Sequence, residues 1–143
     1  MSTATLLRAD NLSRAFAVRR SLADRMHGGR KAWVRALNGV SLSVARGETL
    51  AVVGESGCGK STLARALVRL IELDDGQIDF AGNDVRALRG AALRSYNRKV
   101  QMVFQDPYGS LNPSMTVGEM LNEALAVHRM VPPAHRAARI AEL

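Results

Sequence analysis

The stretch Gly54-Glu55-Ser56-Gly57-Cys58-Gly59-Lys60-Ser61 fits the pattern G-x-x-x-x-G-K-[ST], and each fixed position has a task in holding a nucleoside polyphosphate. Its glycines reach backbone conformations closed to other residues and let amide N–H groups approach a β-phosphate with no Cβ in the way. Lys60 brings a mobile point charge to the β and γ oxygens and counts among the catalytic residues. Ser61 offers a hydroxyl to Mg²⁺, and a helix starting here adds the positive end of its dipole. The residues read as cofactor-binding are Gly54, Glu55, Ser56, Gly57, Cys58, Gly59, Lys60, Ser61 and Thr62, with ATP and Mg²⁺ as cofactors. At this composition the pattern arises by chance about 0.002 times per chain.

A loop of this kind needs a strand before it and a helix after it. Thr49–Val53 is apolar on both faces and predicts a strand buried on both sides of a sheet. Beyond the loop, Ala64, Leu67, Val68 and Ile71 recur at i, i+3, i+4 and i+7, so a helix begins near Lys60. Upstream, Thr5 to Phe16 reads as one or two strands and Ser41–Val44 as another, with Arg19–Lys31 an exposed basic excursion between them. Downstream, Gln77–Phe80 is a short strand between two turns, Ala91–Arg98 a short helix and Val100–Phe104 a further buried strand. The stretch DPYGSLNPS is a loop. Thr116 and Glu119 form a capping box that opens a helix over Val117–His128, and Ala134–Leu143 reads as another helix.

The 143 residues allow one core and not two. With 47% hydrophobic and 23% charged residues, the composition excludes disordered, collagen-like and disulfide-scaffold classes. The single Cys58 excludes an intrachain disulfide and reads as a small residue that fits its loop. There is no apolar run long enough to span a membrane and no signal-peptide order at the N-terminus, so the sequence reads as cytoplasmic. Of the net charge of +7, residues 1–35 carry +6, with eight Arg or Lys against Asp10 and Asp24. The six aromatics do not interleave with that basic run, so a nucleic-acid partner is not expected, and the run reads as a solvated loop. His27, His128 and His135 lack partners at metal spacing.

Three stretches together resemble the ATP-binding subunit of ABC transporters, in the oligopeptide/dipeptide importer branch. They are LNGVSLSVARGETLAVVGESGCGKSTLARAL from Leu37, DDGQIDFAGNDV from Asp74 and VQMVFQDPYGSLNPSMTVGEML from Val100. The last is the most specific. The resemblance implies an α/β P-loop NTPase fold, an ABC-type nucleotide-binding domain with an N-terminal β subdomain, truncated within the helical subdomain. Residues 1–143 then form a single incomplete domain. Its parts are a β subdomain and first core strand (1–53), the phosphate loop, helix and core strands (54–104), and the Q-loop with the start of the helical subdomain (105–143). It also implies that Gln105 is the Q-loop glutamine, catalytic and a Mg²⁺ ligand; an amide can ligate through its carbonyl and orient water through its NH₂. Phe16 stands where the family stacks an aromatic on adenine, with Trp33 as a rival.

The implied partners are transmembrane permease subunits and a second ATP-binding subunit, with the chain peripheral on the cytoplasmic face of the membrane. The family is an ATPase coupled to transport. Its Leu-Ser-Gly-Gly-Gln signature, second apolar strand ending in Asp-Glu and switch His are absent from residues 1–143, so this chain is expected to bind ATP without turning it over. The loop pattern is shared by other P-loop NTPases and small-molecule kinases, which remain the alternative; a kinase would carry a lid with clustered arginines and a complete fold in this length. A nucleic-acid binder driven by residues 1–35 and an inert relic are the remaining classes.

Overall fold

β1 (Thr5–Ala17) and β2 (Trp33–Ala45) pair antiparallel along their length, from Thr5 opposite Ala45 to Ala17 opposite Trp33. They belong to a computed structural model that describes residues 4–18, 32–106 and 109–143; the expected basic excursion Arg19–Lys31 lies outside these residues. β3 (Asp75–Phe80) pairs with the other side of β1, and a two-residue β4 (Asn83–Asp84) closes the hairpin, giving an antiparallel sheet in the order β2-β1-β3-β4. Ala9 and its partner Ile78 lie in the core, and Leu12, three residues on, is buried as well because the strand is irregular between them, where Asn11 is left-handed at φ 53.

The β1–β2 ladder is irregular where it matters. Arg14 faces Leu37 and the next residue, Ala15, faces Arg35, so Ala36 is an extra residue in β2, a bulge that re-aims its carbonyl. α1 (Lys60–Leu67) starts against this bulge, and its Leu63 and Ala66 are buried in the same core as Leu37, Leu73 and Val85. The helix expected from Lys60 is therefore observed, but its buried positions are Leu63 and Ala66, whereas the expected Ala64, Leu67 and Val68 are half-buried, and it stops before Ile71. Arg69, left-handed at φ 58, ends it: Arg69 N–H donates to Ala66 O and Leu70 N–H to Arg65 O.

Two expected strands are not strands. Thr49–Val53 and Val100–Phe104 carry no ladder, and Val53 and Val103 are 89% and 92% exposed. A run of β-branched residues records a demand for burial, but a strand exists only where neighbours complete its hydrogen bonds, and among the described residues none does.

The chain divides into two compact units, residues 1–93 and 94–143, with the division falling inside α2 (Gly90–Lys99). In the second unit Tyr96 and Leu125 are buried, and α3 (Val117–Val127) packs against α4 (Arg136–Glu142), with a 3-10 turn over Pro133–His135 between them. The expected capping box is formed. Thr116 Oγ1 accepts from the Glu119 N–H at 3.3 Å, and the Glu119 carboxylate accepts from Thr116 N–H at 2.7 Å and from its hydroxyl at 2.8 Å. No helix among the described residues is long and apolar enough to cross a membrane.

Two outcomes follow from this packing. Hydrogen bonds from the Thr116 backbone and then its hydroxyl hold the Glu119 pKa below its ordinary 4.5. A depressed carboxylate contributes stability that is present above its unfolded pKa and lost as pH falls through the folded value. The helical circular-dichroism signal should therefore weaken on acidification below about pH 4.5, and Glu119→Gln should remove that part of the pH dependence. In the first unit, a Cβ on Gly59 (φ 104) would stand 2.3 Å from the Ala36 carbonyl oxygen, whereas one on Gly57 (φ 82) would meet nothing within 4 Å. Gly57→Ala should carry backbone strain alone, of about 1–3 kcal/mol. Gly59→Ala adds a steric clash with main chain and should lower Tm distinctly more.

Candidate functional site

Residues 54–59 form a turn, exposed over 54–58, between the segment at 49–53 and the first turn of α1. Gly59 is the helix N-cap, and having no side chain it makes no capping hydrogen bond. The N–H groups of the first helical turn therefore have no competing side chain, which leaves them and the dipole's positive end for an anion. No acidic residue occupies that turn.

Lys60 folds back over the loop. Its Nζ donates to the carbonyl oxygens of Gly54 and Glu55, both at 2.6 Å, and lies 3.5 Å from Cys58 Sγ. The Cys58 N–H donates to Glu55 O at 3.4 Å, and the Leu63 N–H to Gly59 O at 2.8 Å. Carbonyls turned toward the ammonium leave the loop as a concave turn about one cation. Ser61 is exposed and Thr62 half-buried in the first turn of α1, while Glu55, Ser56 and Cys58 are exposed. Of the expected loop residues, Gly54, Glu55 and Cys58 are thus the ones in contact with the Lys60 ammonium.

Phe16 and Trp33 lie on different faces of the β1–β2 ladder. Gly59 packs on Ala36, and Phe16 pairs with Val34 on the neighbouring strand. Strand spacing and rise place the Phe16 backbone about 8 Å from that of Ala36. Trp33 precedes Val34 and so projects from the opposite face of the sheet. Phe16 is 38% exposed and Trp33 60%. The Phe16 ring has a neighbour that sequence reading missed: Arg14 Cζ lies 5.0 Å from its centroid, and Asp74 holds that guanidinium through Arg14 Nη1 at 2.8 Å. The Arg14–Phe16 spacing of two along a strand was visible as a signal; Asp74, sixty residues away, was not.

Gln105 belongs to the second unit, where it is exposed between the segment 100–104 and the following loop. Among the described residues no three His, Cys, Asp or Glu side chains gather as a metal cage. At the far end of α1 a cavity of about 290 Å³ is lined by Ala66, Arg69, Glu72, Ile78, Arg86 and Arg89. Its arginines are engaged with main chain: Arg69 Nη1 donates to Val85 O and Leu88 O, and Arg89 Nη1 to Arg86 O and Leu88 O.

The family model described as ABC transporter matches residues 37–143. The chain is 46% identical over 108 residues to the putative oligopeptide transport ATP-binding protein YkfD of Bacillus subtilis, covering 74% of this chain and 33% of that protein. It is 45% identical over 139 residues to the di/tripeptide transport ATP-binding protein DppF of Pseudomonas aeruginosa, covering 97% of this chain and 42% of that one. The chain thus spans less than half the length of these curated relatives. Its fold is shared with the ATP-binding cassette MJ0796, solved as a dimer in a post-hydrolysis state with ADP and Pi, at a TM-score of 0.67 and 21% identity over 96% of this chain and 55% of that one. The segment from Leu37 onward that contains the glycine loop, α1 and Gln105 is the segment this family is defined by, and the chain belongs to the ABC transporter family.

Proposed function

We propose that this chain binds Mg·ATP as the ATP-binding component of an importer for peptides or similar small solutes. The observation that carries the reading is Lys60, whose ammonium rests on two neutral carbonyls of its own loop beside helix N–H groups that no side chain caps. A polyphosphate offers that ammonium charged oxygens, and charge-assisted hydrogen bonds are about twice as strong as neutral ones. Gly54, Glu55, Ser56, Gly57, Cys58 and Gly59 then wrap the β-phosphate, with Lys60 on the β and γ oxygens and Thr62 in the first helical turn. Phe16 stacks on adenine.

The ligands proposed for Mg²⁺ are the Ser61 hydroxyl and the Gln105 carbonyl; the ion characteristically keeps several waters and takes few protein ligands beside phosphate oxygens. Held there, the ion would supply neutralisation of phosphate charge. Residues 1–143 are read as one domain cut within its helical part, with the β subdomain in 1–53, the phosphate loop and its helix in 54–104, and the Q-loop in 105–143. Its partners are transmembrane permease subunits and a second ATP-binding subunit, which hold it at the cytoplasmic face of the membrane. The names of the peptide-transport relatives support this assignment.

Titration calorimetry should show Mg·ATP binding more tightly than Mg·AMP, with Lys60→Ala weakening ATP markedly; equal ATP affinity in the two proteins would remove the loop from the site. Residues 1–143 contain no Ser-Gly-Gly sequence and no apolar run leading into Asp-Glu, so neither a signature clamp nor a water-activating carboxylate is supplied. Steady-state hydrolysis by the 143-residue chain should be negligible, and a turnover of roughly 1 s⁻¹ that Lys60→Ala abolishes would contradict this reading.

A further inference from the structure

Arg14 occupies a position that its own hydrogen bonds do not explain. Its Nη1 donates to Asp74 Oδ1 at 2.8 Å, but its Nε is buried without a partner. A guanidinium free to choose would turn that N–H to water, since an unmade buried hydrogen bond is costly. Two contacts hold it instead. One is Asp74, and the other is the Phe16 ring, whose centroid lies 5.0 Å from Arg14 Cζ. Asp74 is itself fixed to β1 twice, its Oδ2 accepting from Ala15 N–H at 2.6 Å and its own N–H donating to Ser13 O at 2.9 Å. Asp74 thus grips the backbone on either side of Arg14, Ala15 through its carboxylate and Ser13 through its own N–H, as well as the Arg14 side chain.

We propose that Arg14, tethered by Asp74, is the positioning residue that presents the Phe16 ring to a purine base. This rests on the reading of Phe16 as the adenine platform. The guanidinium covers one face of the ring, which leaves the other face and the edge for a ligand, and Phe16 retains 38% exposure. A cation over one face draws on the ring's π density, so that the opposite face becomes a better partner for an electron-rich purine. The contact also restricts the ring to one pose before the base arrives, which lowers the ordering cost of binding. Asp74 lies beyond the C-terminal end of α1, in the turn before β3, so the base platform is anchored to the segment leaving the helix that Lys60 opens.

Calorimetry with Mg·ATP and with baseless Mg·tripolyphosphate tests this on the 143-residue chain. Arg14→Met should weaken ATP about three- to tenfold while tripolyphosphate stays within about twofold. Arg14→Lys should restore part of the loss, and Asp74→Asn should reproduce part of it. Arg14→Met in a Phe16→Ala background should cost no further ATP affinity, because the arginine acts through the ring. If Phe16→Ala lowers ATP relative to tripolyphosphate and Arg14→Met does not, the positioning role is overturned and the adenine platform stands. If Phe16→Ala leaves that ratio unchanged, both fall. An equal loss of ATP and tripolyphosphate in Arg14→Met, or a further loss in the double variant, makes Arg14 a general support of the unit and also overturns the proposal.

Discussion

The approach of Gly59 to the Ala36 carbonyl is the contact on which the geometry of the first unit depends. The bulge at Ala36 turns a carbonyl out of the β1–β2 ladder, and only a residue without a Cβ comes close enough to pack on it. That residue is also left-handed, at φ 104, and is the N-cap of α1. One glycine therefore meets three demands: close contact, a backbone conformation that L side chains resist, and a helix N-terminus whose N–H groups no side chain occupies. Another cap residue such as Ser or Asp would suit the helix better in isolation, but its side chain would occupy the first-turn N–H groups and collide with β2.

Lys60 is placed by the same contact. As the first residue of α1 it projects back over the turn, where the carbonyls of Gly54 and Glu55 hold its ammonium at 2.6 Å. These bonds are internal to one short loop, so they shape the turn without tying the lysine to another element. A cation held by neutral oxygens at an exposed site is readily redirected to a charged ligand, and the dipole of α1 favours the same sign of ligand. The loop is thus ordered by the group that the ligand would take over.

What could be read from the sequence was local. The start of α1, the Thr116–Glu119 capping box and the pairing regions of β1 and β3 depend on residues within one or two turns of each other, and they stand where periodicity and cap chemistry put them. The segments 49–53 and 100–104 were misread as strands because composition reveals a preference for burial and not whether a partner strand is present. Phe16 could be named as an aromatic near the end of β1, but its environment could not: Asp74 reaches it from sixty residues away, and no local pattern encodes that encounter. That Phe16 and Trp33 project from opposite faces of the ladder follows from the pairing of Phe16 with Val34 and of Ala17 with Trp33, which only the register supplies.

The basic composition also has a structural use that a charge count hides. Arg69 and Arg89 spend donors on the carbonyls of the 85–88 turn, and Arg86 donates to Gly76 O and Leu73 O on the other side of that turn. A guanidinium can satisfy two carbonyls at once from fixed directions, which a lysine ammonium on a flexible stem does less well. Arg69 does this from the left-handed position that ends α1, so the helix is clamped at both ends, by Gly59 on β2 and by Arg69 on the turn after β4. Leu63 and Ala66 fix its rotation by burial between those clamps. An eight-residue helix is too short to be stable by its own hydrogen bonds. It holds Lys60 and Ser61 in place because the surrounding main chain, rather than its own propensity, leaves it no room to shift.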